Sequence, residues 1–330
     1  MKVVVATHGH CFDGLASAVV FTRLLRRWSG EPCEFHYHGC GYGIGQQSAK
    51  ETLFDGQHNA ILDYRFTATE RLTWYFDHHR TAFASSADRQ FFEARRDSGR
   101  YFYEPDFSSC TKLIAEVGKR QFGLDGQLDE LVEWADIIDS AAFSSAAAAI
   151  DRSRPEMQLV SVVEQHGNDA LITELVRELE HKPLIEVARS SAVQERYQPI
   201  ARRLERFVSA VKSGAQLRGR VVLVDLTEST LDLIGKFVTY ALYPRSVYSV
   251  VVARLKRGYK ISVGYNPWCG KDLDADISAI CARYGGGGHP VVGGISVPDG
   301  QRERAQAIAT SIARELDGGA PFLGLELEGG

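Results

Sequence analysis

The chain has 330 residues, 44% of them apolar and 24% charged, which is length enough for two domains and an ordinary globular composition. A formal net charge of −4 supplies no overall pull toward nucleic acid, so a general DNA- or RNA-coating role is excluded. No apolar run is long enough to cross a bilayer and no basic-then-apolar leader is visible, so the expected location is cytoplasmic with no membrane partner.

Residues 2–7 read as a buried strand and 13–28 as a helix with apolar residues at helical spacing. Residues 34–38 form a second expected strand, followed by a glycine-rich loop and a helical stretch over 46–54. Residues 59–64 and 72–76 read as two more strands. Strand and helix alternating in this way predict a parallel sheet covered on both faces, an α/β fold. Beyond Ser108 the pattern turns helical. Ser108 or Ser109 caps a helix carrying Leu113, Ile114 and Val117, a second helix follows over 125–134, and helices fill 155–212 after an Ala/Ser stretch at 141–149.

A second α/β unit opens near Gly219. It is expected to hold a strand over 221–225, a helix over 227–241, a hairpin of 246–255 with 259–265, a helix over 272–284 and a last helix over 301–316. Gly285 suits a left-handed end to the helix over 272–284. The expected division is an N-terminal parallel-sheet domain at 1–194, a charged helical linker at 195–215 and a smaller C-terminal α/β domain at 216–330.

Chemistry concentrates just after the N-terminal strands. His8 and Asp13 follow the first, Asp63 follows the third, and Asp77, His78 and His79 follow the fourth. Loops leaving the carboxyl ends of parallel strands share one edge, so these side chains are expected to converge on one crevice. Carboxylates with imidazoles suit manganese or another octahedral divalent ion. Singly, an Asp after a strand is more often a turn or helix cap, and two histidines can be plain half-buried polar groups. The combination carries the metal expectation.

Near the other end, Gly285, Gly286, Gly287 and Gly288 precede His289 and Pro290. Bare backbone can approach a phosphate and offer it N–H groups, His289 can add a contact, and Arg283 sits just upstream. A flexible linker is the plainer reading, weakened by the return toward a strand at 291–294. Ser262 and Asn266, flanking the strand before this helix, are further expected substrate contacts.

Two competing motifs are set aside. Gly39, Gly41, Gly43 and Gly45 follow the second strand, not the first, and do not complete the GxGxxG spacing of dinucleotide folds. A nucleophilic Cys11 beside His8 or His10 would have its thiol pKa raised by the acidic residues around it. The six cysteines (Cys11, Cys33, Cys40, Cys110, Cys269, Cys281) show no CxxC spacing and read as reduced, without a structural zinc site.

These residues give the chain its resemblance to the DHH phosphoesterase superfamily. Asp77-His78-His79 is the tripeptide for which that superfamily is named, and residues 8–14 are similar to an H-x-x-C-x-D-G form of its first motif. Ile61-Leu62-Asp63-Tyr64 resembles the second motif, and residues 285–290 resemble the signature of the DHH-associated C-terminal domain. The resemblance implies metal ligands at Asp13, Asp63 and His78, joined by His8 in this variant, with Asp63 bridging two ions. It implies a supporting role for Asp77 and a substrate-facing, proton-donating role for His79. The fourth motif falls on either Asp136 or Asp139, which share a helical face; Asp136 is the preferred of the two.

The implied activity is metal-dependent hydrolysis of phosphodiester bonds, exonuclease-like, in short single-stranded oligonucleotides or dinucleotide-like substrates. Two Mn2+ ions are implied, with Mg2+ or Co2+ as alternatives. A pyrophosphate, polyphosphate or phosphomonoester hydrolase is the first alternative. A non-catalytic nucleotide-binding protein is the second, because Cys11 stands where many members carry an Asp. A homodimer is left open.

Overall fold

The computed structural model describes residues 1–41, 48–230, 235 and 237–319. Five strands form the N-terminal sheet: β1 (Lys2–His8), β2 (Glu34–Cys40), β3 (His58–Leu62), β4 (Trp74–Asp77) and β5 (Tyr101–Tyr103). Their order is β2-β1-β3-β4-β5, and every neighbouring pair is parallel, as the alternating pattern predicts. The three-residue β5 is too short to show a period and escapes sequence reading.

Strand register brings three polar residues to one edge. Thr7 lies opposite Leu62, and Leu62 opposite Phe76, so His8, Asp63 and Asp77 leave the sheet side by side. On one face, α1 (Phe12–Ser29) packs against β1, α3 (Cys110–Phe122), α4 (Asp129–Asp139) and α7 (Asp169–Leu179). On the other, Phe54, Tyr64, Phe66, Tyr75 and Tyr101 form an aromatic core sealed by Phe92 of α2 (Ser86–Glu93). Helix α1 ends at Gly30 with φ +65°, the left-handed stop that glycine takes most easily.

Three short or middling helices, α5 (Ala146–Ile150), α6 (Pro155–His166) and α8 (Leu184–Ala188), and the long α9 (Ser191–Gly214) complete the helical region. The chain forms two compact units. The first is Met1–Phe143 with Arg152–Ile200; the second is Ser144–Asp151 with the chain from Ala201 onward. Sequence order alone assigns 144–151 to the first domain, but this segment packs with the second unit. The units part within α9, one residue beyond Pro199, which lies inside that helix.

The second unit holds a six-stranded sheet of order β10-β11-β9-β8-β7-β6. Its strands are β6 (Ala215–Arg218), β7 (Val221–Thr230), β8 (Tyr248–Leu255), β9 (Gly258–Tyr265), β10 (Gly287–His289) and β11 (Val292–Val297). Only β7 and β8 pair in parallel. Helices α11 (Ile277–Ala282) and α12 (Arg302–Leu316) pack on one face through Ile277, Ile280, Ile308 and Ile312. Phe207 and Val211 of α9 cover Val222, Val224 and Val251 on the other, with Val238 from the short α10 (Val238–Leu242).

Several expected elements differ. The strand at 221–225 runs on to Thr230, so among the described residues the helix expected over 227–241 is present only as α10; residues 231–234 and 236 of that reading lie outside the described residues. Thr227 caps no helix here: its amide and hydroxyl both donate to Asp225, at 2.9 and 2.7 Å, and hold the chain extended. The helix expected over 272–284 starts only at Ile277, where Asp276 caps it by accepting from the Ala279 amide. Of the helical stretch at 46–54 the described residues form only a 3-10 turn, Glu51–Leu53; residues 42–47, with part of the glycine loop, lie outside the described residues. Among the described residues no helix is long and apolar enough to cross a membrane.

Candidate metal centre

Four segments of the first unit converge at the carboxyl edge of its sheet. Asp63 is at the middle, fully buried, with a backbone φ of +53° that Asp tolerates better than most side chains. Its Oδ2 lies 3.5 Å from His8 Nδ1, and its Oδ1 lies 3.6 Å from His78 Nε2 and 3.6 Å from His79 Nδ1. These separations are beyond hydrogen-bond reach. Around His78 Nε2 stand Asp139 Oδ2 at 3.4 Å and Asp13 Oδ2 at 3.8 Å.

Each side chain is aimed by a named contact. His78 Nδ1 donates to the Phe107 carbonyl at 3.0 Å, which turns Nε2 toward the carboxylates. Asp13 accepts from the first amides of α3, Cys110 N at 2.8 Å and Thr111 N at 3.0 Å, so one carboxylate anchors that helix and borders the cluster. Gly14 beside it has no substitute: a Cβ there would sit 2.2 Å from the His8 carbonyl. Asp77 points elsewhere. Its Oδ1 takes the amides of His78 and His79 and the His79 Nδ1 at 2.7 Å, and its Oδ2 takes the Tyr75 hydroxyl at 2.9 Å. Asp77 is thereby the support that orients His79.

The electrostatics of this edge are those of an overcrowded acid cluster. Burial pushes Asp13 well up, reinforced by Asp63 and Asp139. Burial and Asp63 push Asp139 to about 6. Asp63 is held well below the carboxylate range because His78 and His8 outweigh its burial. Burial opposes charge on His78 as well, but Asp63 and Asp13 raise it to about 10; Asp77 and Asp63 likewise bring His79 to about 9.

The donor set fits divalent cations. Both carboxylate oxygens of Asp63 and Nε2 of His78 are buried with no hydrogen-bond partner among the described residues, a cost that a folded protein seldom leaves uncompensated. Three overlapping groups bring their ligand atoms within 4.8 Å of one another: His8, Cys11 and Asp63; Asp63, His78 and His79; Asp13, His78 and Asp139. Oxygen and imidazole donors dominate, as hard or borderline ions require.

Of the two fourth-motif residues, it is Asp139 that meets His78. The preferred Asp136 is turned to α3, where it accepts from Ser108, from Ser109 at 3.2 Å and from Lys112 Nζ at 3.0 Å. Helical spacing puts both on one face but cannot say that Lys112 claims the first. Nor does any sequence pattern mark the Phe107 carbonyl, a backbone atom with no side-chain signature.

In the second unit, Gly287, Gly288 and His289 are exposed on β10, the edge strand of the sheet. The glycines have separate reasons. A Cβ at Gly286 would meet the Gly294 carbonyl at 2.3 Å and one at Gly288 the Val292 carbonyl at 2.2 Å, whereas at Gly287 it would meet nothing within 4 Å. Ser262 is half-buried in β9, opposite Gly294 of β11. Arg283 is exposed but already forked onto Glu315 at 2.5 and 2.6 Å. Asn266 departs from the expectation of a substrate contact. It is fully buried, its Nδ2 donates to the Pro244 and Ser246 carbonyls, and its Oδ1 accepts from the Trp268 amide, so its side chain braces the fold out of a ligand's reach.

No protein-family model and no curated protein matches the sequence. Solved structures do match along nearly the whole chain. The pGpG-specific phosphodiesterase PggH from Vibrio cholerae is 20% identical, covers 94% of this chain and 98% of its own, and superposes with a TM-score of 0.67. A DHH domain from a member of the s1p family of ribosomal proteins is 12% identical over 96% of this chain and 86% of its own, with a TM-score of 0.59. RecJ from Thermus thermophilus, in complex with Mn2+, is 13% identical over 95% of this chain and 52% of its own, with a TM-score of 0.58.

Proposed function

We infer that this chain, which has the fold of the DHH phosphoesterases, is a metal-dependent hydrolase of phosphodiester bonds in dinucleotide-like or short single-stranded oligonucleotide substrates. One observation carries the reading: Asp63 and His78 keep buried ligand atoms without hydrogen-bond partners among the described residues, at the point where Asp13, Asp139 and His8 converge. Divalent ions bound there would supply charge neutralisation and polarisation of a phosphoryl oxygen. Asp13, Asp63, His78 and Asp139 are the residues to hold one ion, and Asp63 with His8 to share a second. RecJ in complex with Mn2+ supports manganese as the first ion to try.

The remaining work falls to protein groups. His79, gripped through Nδ1 by Asp77, keeps its proton near neutrality and presents Nε2 as a donor to the leaving oxygen. The β10 edge of the second unit leaves one row of backbone groups outside the sheet, a recognition strip for a phosphate at Gly287, Gly288 and His289. A net charge of −4 supports short substrates over long duplexes, which need an extended basic track.

The test is hydrolysis by metal-stripped protein resupplied with Mn2+, over pGpG, short RNAs, pyrophosphate and polyphosphate, with His78→Ala as control. Mn2+-dependent cleavage of pGpG or short RNA, lost at least about 100-fold in the variant, is the expected result. Preference for pyrophosphate or polyphosphate would move the substrate class. Tight nucleotide binding without turnover of any phosphoester would make the protein a binder and not an enzyme.

A further inference from the structure

Within the centre, the two oxygens of Asp63 face unlike surroundings. Oδ1 looks toward His78 and His79, while Oδ2 looks toward His8, and the sulfur of Cys11 lies within 4.8 Å of the ligand atoms of both His8 and Asp63. Cys11 has the backbone of a helix N-cap; the Gly14 amide in the first turn of α1 lies toward its sulfur, without the geometry of a cap hydrogen bond. The Asp63 side chain is 1% exposed and both its oxygens lack hydrogen bonds among the described residues, which points to a ligand on the Oδ2 side as well as the Oδ1 side.

We propose that Cys11 is a sulfur ligand, and that His8, Cys11 and Asp63 form a subsite selective for a borderline ion such as Zn2+ or Co2+, distinct in preference from the oxygen-rich subsite of Asp13, His78 and Asp139. The proposal rests on the metal reading above and goes beyond it in assigning the thiol and splitting the two preferences. Thiolate and imidazole raise affinity for Zn2+ and Co2+ relative to Mn2+ and Mg2+, for which carboxylate sets are the better match. Ligation displaces the thiol proton to solvent, with no change of oxidation state.

The experiment uses the full chain, stripped of metal and titrated with Co2+, with elemental analysis alongside the near-ultraviolet spectrum. A thiolate-to-cobalt charge-transfer band should grow in with the first ion bound and be absent from Cys11→Ser and Cys11→Asp. In competition dialysis, Cys11→Asp should shift the Zn2+-to-Mn2+ preference toward Mn2+ by roughly tenfold or more, since even an outer partner of a ligand is worth that much. Ion uptake by the wild type without the band, or a band of equal strength in Cys11→Ser, overturns the sulfur assignment and leaves the metal centre standing. Failure of the wild type to take up any of the three ions overturns both.

Discussion

Three carboxylates meet His78 at the sheet edge, and without cations two of them, Asp13 and Asp139, are held above their ordinary range and work against the fold. Asp139 shows it most simply, because its folded pKa of about 6 lies above its ordinary 3.8. In chelator, this group binds a proton in the folded state that the unfolded chain has released, so its contribution to stability declines as pH rises from about 4 to about 6. Asp139→Asn should therefore raise the melting temperature of the metal-free protein at pH 7.5, by about 2–4 °C per kcal/mol relieved, and have little effect at pH 4. The same variant should lose most of the melting-temperature rise that Mn2+ gives the wild type. A lower chelated melting temperature at pH 7.5 than wild type would show that the crowding is compensated within the protein. Residues of this kind were readable to different depths. His8, Asp63 and His78 could be placed together from the sequence because parallel strand ends must align. Asp139 could not be separated from Asp136, nor Asn266 from a surface residue, because those distinctions depend on which neighbour claims the side chain.

At the level of elements, the strands and long helices were legible and the short ones were not. A period needs several residues to declare itself, and β5, β6 and β10 have only three or four, whereas the equally short β4 shows through its apolar run Trp74-Tyr75-Phe76. The helix expected over 227–241 failed where Asp225 captured Thr227, a local bond that competes with helix formation. The glycine run was noticed for its phosphate chemistry, while much of its composition answers to the hairpin of β10 and β11. These two causes can be told apart by mutation. Gly288→Ala, with φ of +152° and a carbonyl 2.2 Å from the new carbon, should cost about 1–3 kcal/mol in urea denaturation. Gly287→Ala has open space and should leave stability within about 0.5 kcal/mol of wild type while weakening pGpG binding. Unchanged binding in a stably folded Gly287→Ala would remove this strip from the substrate site.

Across the whole chain, the alternation of strand and helix, the turn to helices after Ser108 and the return to α/β near Gly219 announced two sheets in sequence. They did not announce that one short segment leaves its neighbours in the chain. Ser144–Asp151 packs in the second unit, where α5 meets α10 and Ile150 lies against the cluster of Phe207, Val211 and Val238. The contacts responsible join residues more than fifty positions apart, which no local pattern encodes.

That detached segment sets a rule for dissecting the protein. A gene cut at residue 201 yields a C-terminal fragment missing part of its own interior, so it should express as an aggregating or ANS-binding species although every strand of its sheet is present. Supplying residues 144–151, as a fused or added peptide, should restore a sharp unfolding transition. A fragment that melts cooperatively without it would mean that α5 is a passenger and not a missing wall.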